Sequence, residues 1–275
     1  MYASHVLPAA RDYGALYRSF RWQIPAHYNI GVDVCDRWAE IDPLRTAIFN
    51  LGADGAVEEV SYGALREASN RLANALAARG IGRGDRIALL LAQGPAVAVS
   101  HIAIYKLGAI ALPLAMLFGV DAIAYRLQDS GARALITNAQ GLAKLAAGRD
   151  VGSSLEFVWS IDGPTDGAED FNAVLSRAAC DFASVATTPD DPALMVYTSG
   201  TTGPPKGALH AHRVLLGHLP GIEFPHEFLP QPGDRFWTPA DWAWAGGLLN
   251  VLLPGLHYGV PPVSSGKSRS SAPTR

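Results

Sequence analysis

The residues with the clearest potential for chemistry lie in one short segment, residues 197–207 (YTSGTTGPPKG). The segment combines four Ser or Thr side chains, three glycines and one lysine. Glycines allow backbone N–H groups to approach a ligand closely, hydroxyl groups add neutral donors, and the lysine adds a mobile positive charge. Such a donor set suits the anionic oxygens of a polyphosphate. The sequence therefore predicts a phosphate-binding loop.

Two other interpretations of this segment fit less well. Counting from Gly200, the P-loop pattern requires Gly at position 205 and Ser or Thr at 207, where the chain has Pro205 and Gly207. Pro204 and Pro205 also prevent a helix from starting inside the loop, so phosphate binding by a helix N-terminus is not expected. A flexible linker is the second alternative, but linkers rarely follow directly on a buried strand such as residues 193–197.

Two histidines, His210 and His212, follow the loop two residues apart. On a strand this spacing points both side chains the same way, so the pair could begin a zinc site. His218, Glu223 and His226 are scattered downstream without the spacing of metal ligands. The sequence therefore favours a structural or nucleotide-proximal role for His212, and no metal site is predicted.

The elements that must position the loop are strands and helices that alternate along the chain. Short apolar runs predict buried strands, and apolar positions at helical spacing predict helices. The predicted strands are residues 46–50, 57–62, 86–91, 109–112, 134–137, 157–161 and 193–197. The predicted helices are residues 96–106, 121–128 and 170–179, and one more that begins after Ser61. This order predicts an α/β fold with a parallel sheet and helices on both faces.

Composition and charge restrict the class of protein. Of the 275 residues 49% are apolar and 17% are charged, so the chain can build a sizeable core. The net charge of −3 argues against nucleic-acid binding through bulk charge. The two cysteines, Cys35 and Cys180, cannot form a disulfide framework and fit a reducing cytosol. No signal peptide or unbroken apolar span is evident. We expect a cytoplasmic protein with no nucleic-acid partner and no membrane span.

The loop resembles the phosphate-binding signature of the AMP-forming acyl-CoA synthetases, a family of adenylate-forming enzymes. The likeness is to the acetyl-CoA-synthetase-like members that act on short or medium chains. Within residues 60–138 the segments SYGAL, GRGDRI, KLGAIALPL and RLQDSGA occur in the family's order. Residues 238–247 (TPADWAWAGG) resemble its acyl-site motif. The resemblance covers about residues 30–263. It implies layered parallel-sheet subdomains, as in the large N-terminal domain of these enzymes.

The resemblance implies a ligase that works in two steps. A carboxylate attacks the α-phosphate of ATP to give acyl-AMP and pyrophosphate, and the thiol of coenzyme A then displaces AMP. Because both reactants are anionic, donors already aimed at the β- and γ-phosphates, together with Mg²⁺, would stabilise the transition state. By resemblance Lys206 supplies charge and is not the catalytic lysine. The residues implied to hold the phosphates are Thr198, Ser199, Gly200, Thr201, Thr202, Gly203 and Lys206.

The second motif implies the site for the acid. Trp244 matches the aromatic residue of the family's acyl-site motif, and Gly246 and Gly247 would leave room for the acyl chain or the carboxylate. Large aromatic side chains are mostly buried in any fold, so core packing is the alternative for Trp244 and the favoured one for Trp242. For Asp241 in the same motif, the role of a turn or helix-capping acid fits at least as well as a role in the site.

Several parts of the family's pattern do not occur in these 275 residues: the Tyr-Gly-x-Thr-Glu segment, the Thr-Gly-Asp segment and the C-terminal domain with the adenylating lysine. The resemblance therefore assigns no catalytic residue, and we expect no thioester formation by this chain alone. Residues 264–275 are rich in Ser and basic residues, which predicts a disordered tail. We attribute it to a frameshift near Val263. The expected organisation is an extension at 1–29, a partial AMP-binding domain at 30–263 and this tail.

Three functions are compatible with the loop. The first is an acyl-CoA synthetase for a short- or medium-chain acid, present as an N-terminal fragment. The second is a non-catalytic nucleotide- or acyl-binding module. The third is an adenylation domain that passes its acyl group to a carrier protein. Similarity over the whole chain, above all WTPADWAW, favours the first.

Overall fold

The computed structural model describes residues 5–148, 151, 154–198 and 203–265. Within these residues the strands form two sheets. The strands are β1 Thr46–Leu51, β2 Val57–Ser61, β3 Arg86–Leu90, β4 Ile110–Pro113, β5 Ala134–Thr137, β6 Phe157–Ser160, β7 Glu169–Asp170, β8 Pro192–Thr198, β9 Lys206–Ala211, β10 Phe236–Trp237 and β11 Pro262–Ser265.

The helices surround these sheets. They are α1 Tyr13–Ser19, α2 Arg37–Ile41, α3 Tyr62–Ala78, α4 Pro95–Lys106, α5 Val120–Ser130, α6 Ala139–Ala146, α7 Phe171–Arg177, α8 Val214–Glu223, α9 Ala245–Gly247 and α10 Leu253–Tyr258. Two stretches with π-helical hydrogen bonding, Val32–Asp36 and Leu248–Leu252, lead into α2 and α10. Among the described residues, no helix combines the length and the apolar character needed to cross a bilayer.

The large sheet has seven strands in the order β7-β6-β5-β3-β4-β8-β9. Every neighbouring pair is parallel except β8 and β9, which are antiparallel. Side chains of β3 alternate between two cores: Ile87 and Leu89 pack on one face, and Ala88 and Leu90 on the other. Since α4 contributes to the first core and α5 to the second, the predicted parallel sheet with helices on both faces is confirmed.

Local sequence signals explain where the helices of this sheet begin. The hydroxyl of Ser61 accepts a hydrogen bond of 3.2 Å from the N–H of Ala64 and so caps α3, as predicted. Pro95 occupies the first turn of α4, where its missing N–H costs nothing. The carboxylate of Asp170 accepts bonds from two N–H groups at the start of α7, so this helix begins one residue later than predicted.

The small sheet has four strands in the order β10-β11-β1-β2. β1 and β2 form the predicted antiparallel hairpin, in which Gly55 adopts a φ of 87° and so allows the tight turn. β11 lies between β1 and β10 and is parallel to both. It includes Ser264 and Ser265, the first two residues of the expected tail, while residues 266–275 lie outside the described part of the chain.

The order of the large sheet determines where a ligand can bind. β3, β4 and β8 are adjacent and parallel, so the segments that follow them leave the sheet at the same edge. In open α/β sheets, ligands bind outside the carboxyl ends of the strands. The loop predicted to bind phosphate follows β8 and therefore begins at this carboxyl edge, as do the segments after β3 and β4.

Candidate functional site

The loop after β8 connects two antiparallel strands. Thr198 is the last residue of β8, Lys206 is the first of β9, and the two face each other in the ladder. Both are exposed, so the loop begins at a residue with a hydroxyl group and ends at a lysine on the paired position. Gly203 has a φ of 90°, a conformation that favours glycine. Of the other predicted phosphate-holding residues, Ser199, Gly200, Thr201 and Thr202 lie outside the described residues.

Gly207 is explained by packing against the strand opposite. It pairs with Tyr197 across the ladder. A Cβ atom at Gly207 would lie 3.0 Å from the sulfur of Met195 and 3.2 Å from Cζ of Tyr197. The missing side chain therefore makes room for the Tyr197 ring, which is buried directly before the loop.

Helix α5 contacts both ends of the loop. The hydroxyl of Tyr197 donates a hydrogen bond to the carboxylate of Asp129, and burial, followed by this bond, raises the pKa of Tyr197. The hydroxyl of Tyr125 donates a bond of 3.0 Å to the carbonyl of Pro205. The two tyrosine rings meet edge to face, 6.3 Å between centroids. One helix thus fixes the loop where it leaves β8 and where it enters β9.

The two tryptophans of the acyl-site motif occupy different environments. Trp242 is fully buried, which agrees with the core-packing interpretation. Trp244 is 40% exposed, and its ring packs edge to face on Phe118 at 5.4 Å between centroids. Phe118 belongs to the segment that follows β4, so the exposed face of Trp244 lies at the carboxyl edge of the sheet. This position suits the wall of a pocket.

The two glycines of the motif also differ. A Cβ atom at Gly246 would meet nothing within 4 Å, so this residue borders open space. A Cβ atom at Gly247 would lie 2.3 Å from the carbonyl oxygen of Asp241 and 2.9 Å from that of Ala240. The structure thus explains Gly247 by a close approach of backbone, and only Gly246 of the pair borders space that a ligand could enter.

Asp241 has the geometry of a turn acid. Its carboxylate accepts a hydrogen bond of 3.2 Å from the N–H of Ala243, and its carbonyl accepts one of 3.0 Å from the N–H of Trp244. Burial raises the pKa of the Asp241 carboxyl group, and the backbone N–H groups that bind it act in the opposite direction. The side chain therefore shapes the turn that presents Trp244.

Two positioning residues were not predicted from the sequence. The amide of Gln93, in the segment after β3, donates hydrogen bonds to the carbonyls of Thr238 and Ala240 at 3.2 and 2.6 Å. The ammonium of Lys144 in α6 donates to the carbonyl of Phe118 at 2.8 Å, and also to that of Met116. The only available signal was weak: a polar side chain shortly after a buried strand, and the one charged residue of α6.

The histidines after the loop do not share a ligand site. His212 is buried, and its Nδ1 accepts a hydrogen bond of 3.1 Å from the N–H of Ile30. Burial lowers the pKa of His212 to about 4, so the ring is neutral and structural. Burial and His218 lower the pKa of the partly exposed His210. Within the described residues, no three or more His, Cys, Asp or Glu side chains are arranged to hold a metal ion.

Comparison with known proteins explains this arrangement. The family described as AMP-binding enzyme matches residues 35–273, which is most of the chain. This chain belongs to the AMP-binding enzyme family. The family's relatives include acyl-CoA synthetases and ligases, so the resemblance seen in the motifs is confirmed, and the parallel-rich sheets with helices are those of adenylate-forming enzymes.

Two individual relatives illustrate this similarity. The chain is 33% identical over 207 residues to the 3-hydroxybenzoate–CoA/4-hydroxybenzoate–CoA ligase of Thauera aromatica. This match covers 74% of this chain and 39% of the relative. The chain is also 32% identical over 240 residues to the acetyl-coenzyme A synthetase of Halorhodospira halophila. This match covers 80% of this chain and 36% of the relative. The AMP-binding chain described here thus spans less than half the length of these relatives.

A solved structure has the same fold. The crystal structure of the anthranilate CoA ligase AuaEII in complex with anthranoyl-AMP superposes with a TM-score of 0.80 at 25% identity. The match covers 89% of this chain and 46% of that chain. The architecture described above is therefore shared with an enzyme that has been solved with an acyl adenylate.

Proposed function

We propose that this chain supplies the phosphate-binding loop and part of the acyl site of an AMP-forming acyl-CoA synthetase that acts on a short- or medium-chain carboxylic acid. One observation carries the proposal: Thr198 and Lys206, both exposed, are paired across the β8–β9 ladder at the carboxyl edge. The half-exposed ring of Trp244 lies at the same edge, where it packs on Phe118. A polyphosphate and an organic acid therefore have adjacent places to bind.

The reaction explains why these groups are needed. A carboxylate oxygen forms a bond to the α-phosphorus of ATP while the bond to the bridging oxygen breaks, which leaves acyl-AMP and pyrophosphate. The thiol of coenzyme A then replaces AMP on the carbonyl carbon. Negative charge grows on the leaving pyrophosphate, and Lys206, Thr198 and the N–H groups of the loop offer positive charge and hydrogen-bond donors. We assign the same role to Ser199, Gly200, Thr201, Thr202 and Gly203.

Magnesium enters this proposal with the nucleotide, as MgATP. The positive charge of Mg²⁺ offsets the negative charge of the phosphates when it is bound.

Both cysteines are free thiols, Cys35 buried and Cys180 exposed, which supports our assignment of the protein to the cytoplasm.

The acid-binding part of the proposal involves Trp244, Gly246 and Gly247. An apolar wall at Trp244 would hold the chain of the acid, and the open space beside Gly246 would admit it. Gly247 contributes by allowing the turn at Asp241 to come close. The two relatives named for acetyl and hydroxybenzoyl substrates support a small acid over a long one.

Binding by the whole 275-residue chain tests the proposal. Calorimetric titration should show MgATP binding that Lys206→Met weakens about tenfold or more, the size expected for one charge-assisted contact. Arg177→Met, which removes an exposed arginine from α7, is the matched control and should bind as the unaltered protein does. Absence of MgATP binding, or equal binding by the Lys206 and Arg177 variants, would contradict the proposal.

A second measurement distinguishes the enzyme from its alternatives. ATP–pyrophosphate exchange with acetate, butyrate, hexanoate and benzoate reports the adenylation step itself. Exchange that depends on one of these acids identifies an adenylating protein. Because the domain with the adenylating lysine is not among these 275 residues, the assay is made on the chain joined to that domain, where nucleotide binding without exchange fits a binding module. If exchange occurs, transfer to coenzyme A rather than to a phosphopantetheine carrier protein supports the synthetase.

A further inference from the structure

Arg126 in α5 is a buried cation for which the described residues supply no counter-charge. The residue is 7% exposed, and its Nη1 donates a hydrogen bond of 2.7 Å to the carbonyl of Ala122 one turn earlier. It forms no ion pair with any residue that the structure describes, and its Nε finds no hydrogen-bond partner among them. Arginine is almost never buried without a partner, because removing its charge from water is costly.

Aromatic rings surround this guanidinium group. Its carbon Cζ lies 4.2 Å from the ring centroid of Phe118 and 5.4 Å from that of Tyr197. These faces stabilise a cation but do not neutralise it. Phe118 is the neighbour of Trp244, and Tyr197 directly precedes Thr198. The charge is therefore held between the predicted acyl wall and the start of the phosphate loop.

The nearest acid on the same helix is used elsewhere. Asp129, three residues after Arg126, accepts a hydrogen bond from the hydroxyl of Tyr197. It lies beyond ion-pair distance of the Arg126 guanidinium. The positive charge of Arg126 therefore stays close to the loop without an ion pair to Asp129. The carboxylate of Asp129 binds the Tyr197 hydroxyl instead.

We propose that Arg126 is a positioning residue for polyphosphate binding, whose buried charge attracts the anion at the loop that begins after Tyr197 and receives from that anion a counter-charge that the described residues do not supply. The inference rests on the proposed function, because it requires that the loop binds phosphates. It goes beyond that function, because Arg126 is not among the residues assigned to hold the phosphates.

The experiment compares two replacements that separate charge from shape. Arg126→Gln keeps a planar group that can stay between the rings but removes the charge, and Arg126→Lys keeps the charge. Magnesium pyrophosphate is the probe, because it addresses the loop without the nucleoside. We expect Arg126→Gln to bind the probe about tenfold more weakly, the effect of unit charges at roughly 10 Å in an effective dielectric of about 20. The affinity of Arg126→Lys for the probe should stay within about threefold of that of the unaltered chain. Added salt should reduce the difference in affinity between Arg126→Gln and the unaltered chain.

Each outcome has one meaning. Equal weakening by both variants, or no weakening by Arg126→Gln, overturns the role of Arg126 and leaves the proposed function intact. Failure of the unaltered chain to bind either MgATP or pyrophosphate refutes the proposed function itself. If Arg126→Gln does not fold, Asp129→Asn gives an independent test. It keeps an oxygen for the Tyr197 hydroxyl and removes a negative charge from the same helix, so it should strengthen binding, and unchanged binding would overturn the inference.

Discussion

The amide of Gln93 donates a hydrogen bond of 2.6 Å to the carbonyl of Ala240, which lies 147 residues further along the chain. A second bond of 3.2 Å reaches the carbonyl of Thr238. Gln93 follows β3 at the carboxyl edge of the large sheet, so the sheet itself holds the segment that turns at Asp241 and presents Trp244. The position of the acyl-site motif therefore depends on a residue outside the motif.

Replacing Gln93 tests this dependence. Gln93→Ala leaves two part-buried carbonyls without their donor, and we expect the free energy of unfolding to fall by about 1–3 kcal/mol. Gln140→Ala, at an exposed position of α6, is the matched control and should change it by less than about 0.5 kcal/mol. Urea denaturation measures both. If the two variants were equally stable, the bonds from Gln93 would not hold the segment.

Adjacent glycines in α9 should respond in opposite ways to the same change. Gly247→Ala places a methyl group 2.3 Å from the carbonyl oxygen of Asp241, which forces the backbone apart, and we expect a loss of about 1–3 kcal/mol. Gly246→Ala meets nothing within 4 Å and reduces the freedom of the unfolded chain, so stability should be unchanged or rise by up to about 1 kcal/mol.

Thermal and urea unfolding of the two glycine variants provide the comparison, and acid binding adds a second readout. If the space beside Gly246 admits the acid, Gly246→Ala should weaken binding of the acid while it leaves the fold intact. A destabilised Gly246 variant, or a fully stable Gly247 variant, would contradict the backbone geometry at this turn.

Two lysines near the site should separate stability from binding. Lys144 donates hydrogen bonds to the carbonyls of Met116 and Phe118, so Lys144→Met should lower the free energy of unfolding by about 1–3 kcal/mol. Lys206 is exposed, so Lys206→Met should change stability by less than about 0.5 kcal/mol and act on MgATP affinity instead. Denaturation and titration of both variants form a crossed test, which fails if Lys206→Met destabilises the fold or Lys144→Met does not.

The elements that could be predicted are those whose signals are local. The apolar run of β3, the cap at Ser61 and the proline at the start of α4 each depend on residues next to one another in sequence. The loop was recognisable for the same reason: its glycines and hydroxyls are contiguous. The parallel sheet with helices on both faces, though not the order of its strands, followed from the alternation of strands and helices together with the physics of buried parallel strands.

The contacts that build the site could not be predicted because they join distant residues. Nothing in the sequence near Gln93 indicates that it binds Ala240, and nothing near Arg126 indicates that Phe118 and Tyr197 enclose it. Gly207 and Gly247 resemble ligand-binding glycines by their motifs, yet the structure explains them by the Tyr197 ring and the Asp241 backbone. Such roles depend on tertiary neighbours, which only the fold specifies.

Two buried histidines give the fold a sensitivity to acid. Burial lowers the pKa of His101 to about 3 and that of His212 to about 4. His101 binds the hydroxyl of Tyr105 through Nδ1 at 3.0 Å, and the Nε2 atoms of both histidines are buried without a hydrogen-bond partner among the described residues. A proton on either ring would therefore place an unpaired charge in the core.

The direction of the effect follows from proton linkage. In the unfolded chain a histidine has a pKa of about 6.5, so below that pH the unfolded chain binds protons that the folded chain does not. The contribution of these histidines to the free energy of unfolding is therefore complete above about pH 6.5. It decreases as the pH falls and stops decreasing only below the folded pKa values. Between pH 7 and pH 5 we expect a loss on the order of 2 kcal/mol for each histidine.

Urea denaturation at pH 7 and pH 5 measures this loss, and His212→Asn isolates one contribution. Asparagine keeps an acceptor for the N–H of Ile30 but does not titrate, so this variant should lose about 2 kcal/mol less than the unaltered chain over the same interval. His27→Gln, at an exposed position, should leave the pH dependence as it was. Equal pH dependence in the His212 and His27 variants would show that His212 is protonated without cost, and that its ring is not enclosed as the structure places it.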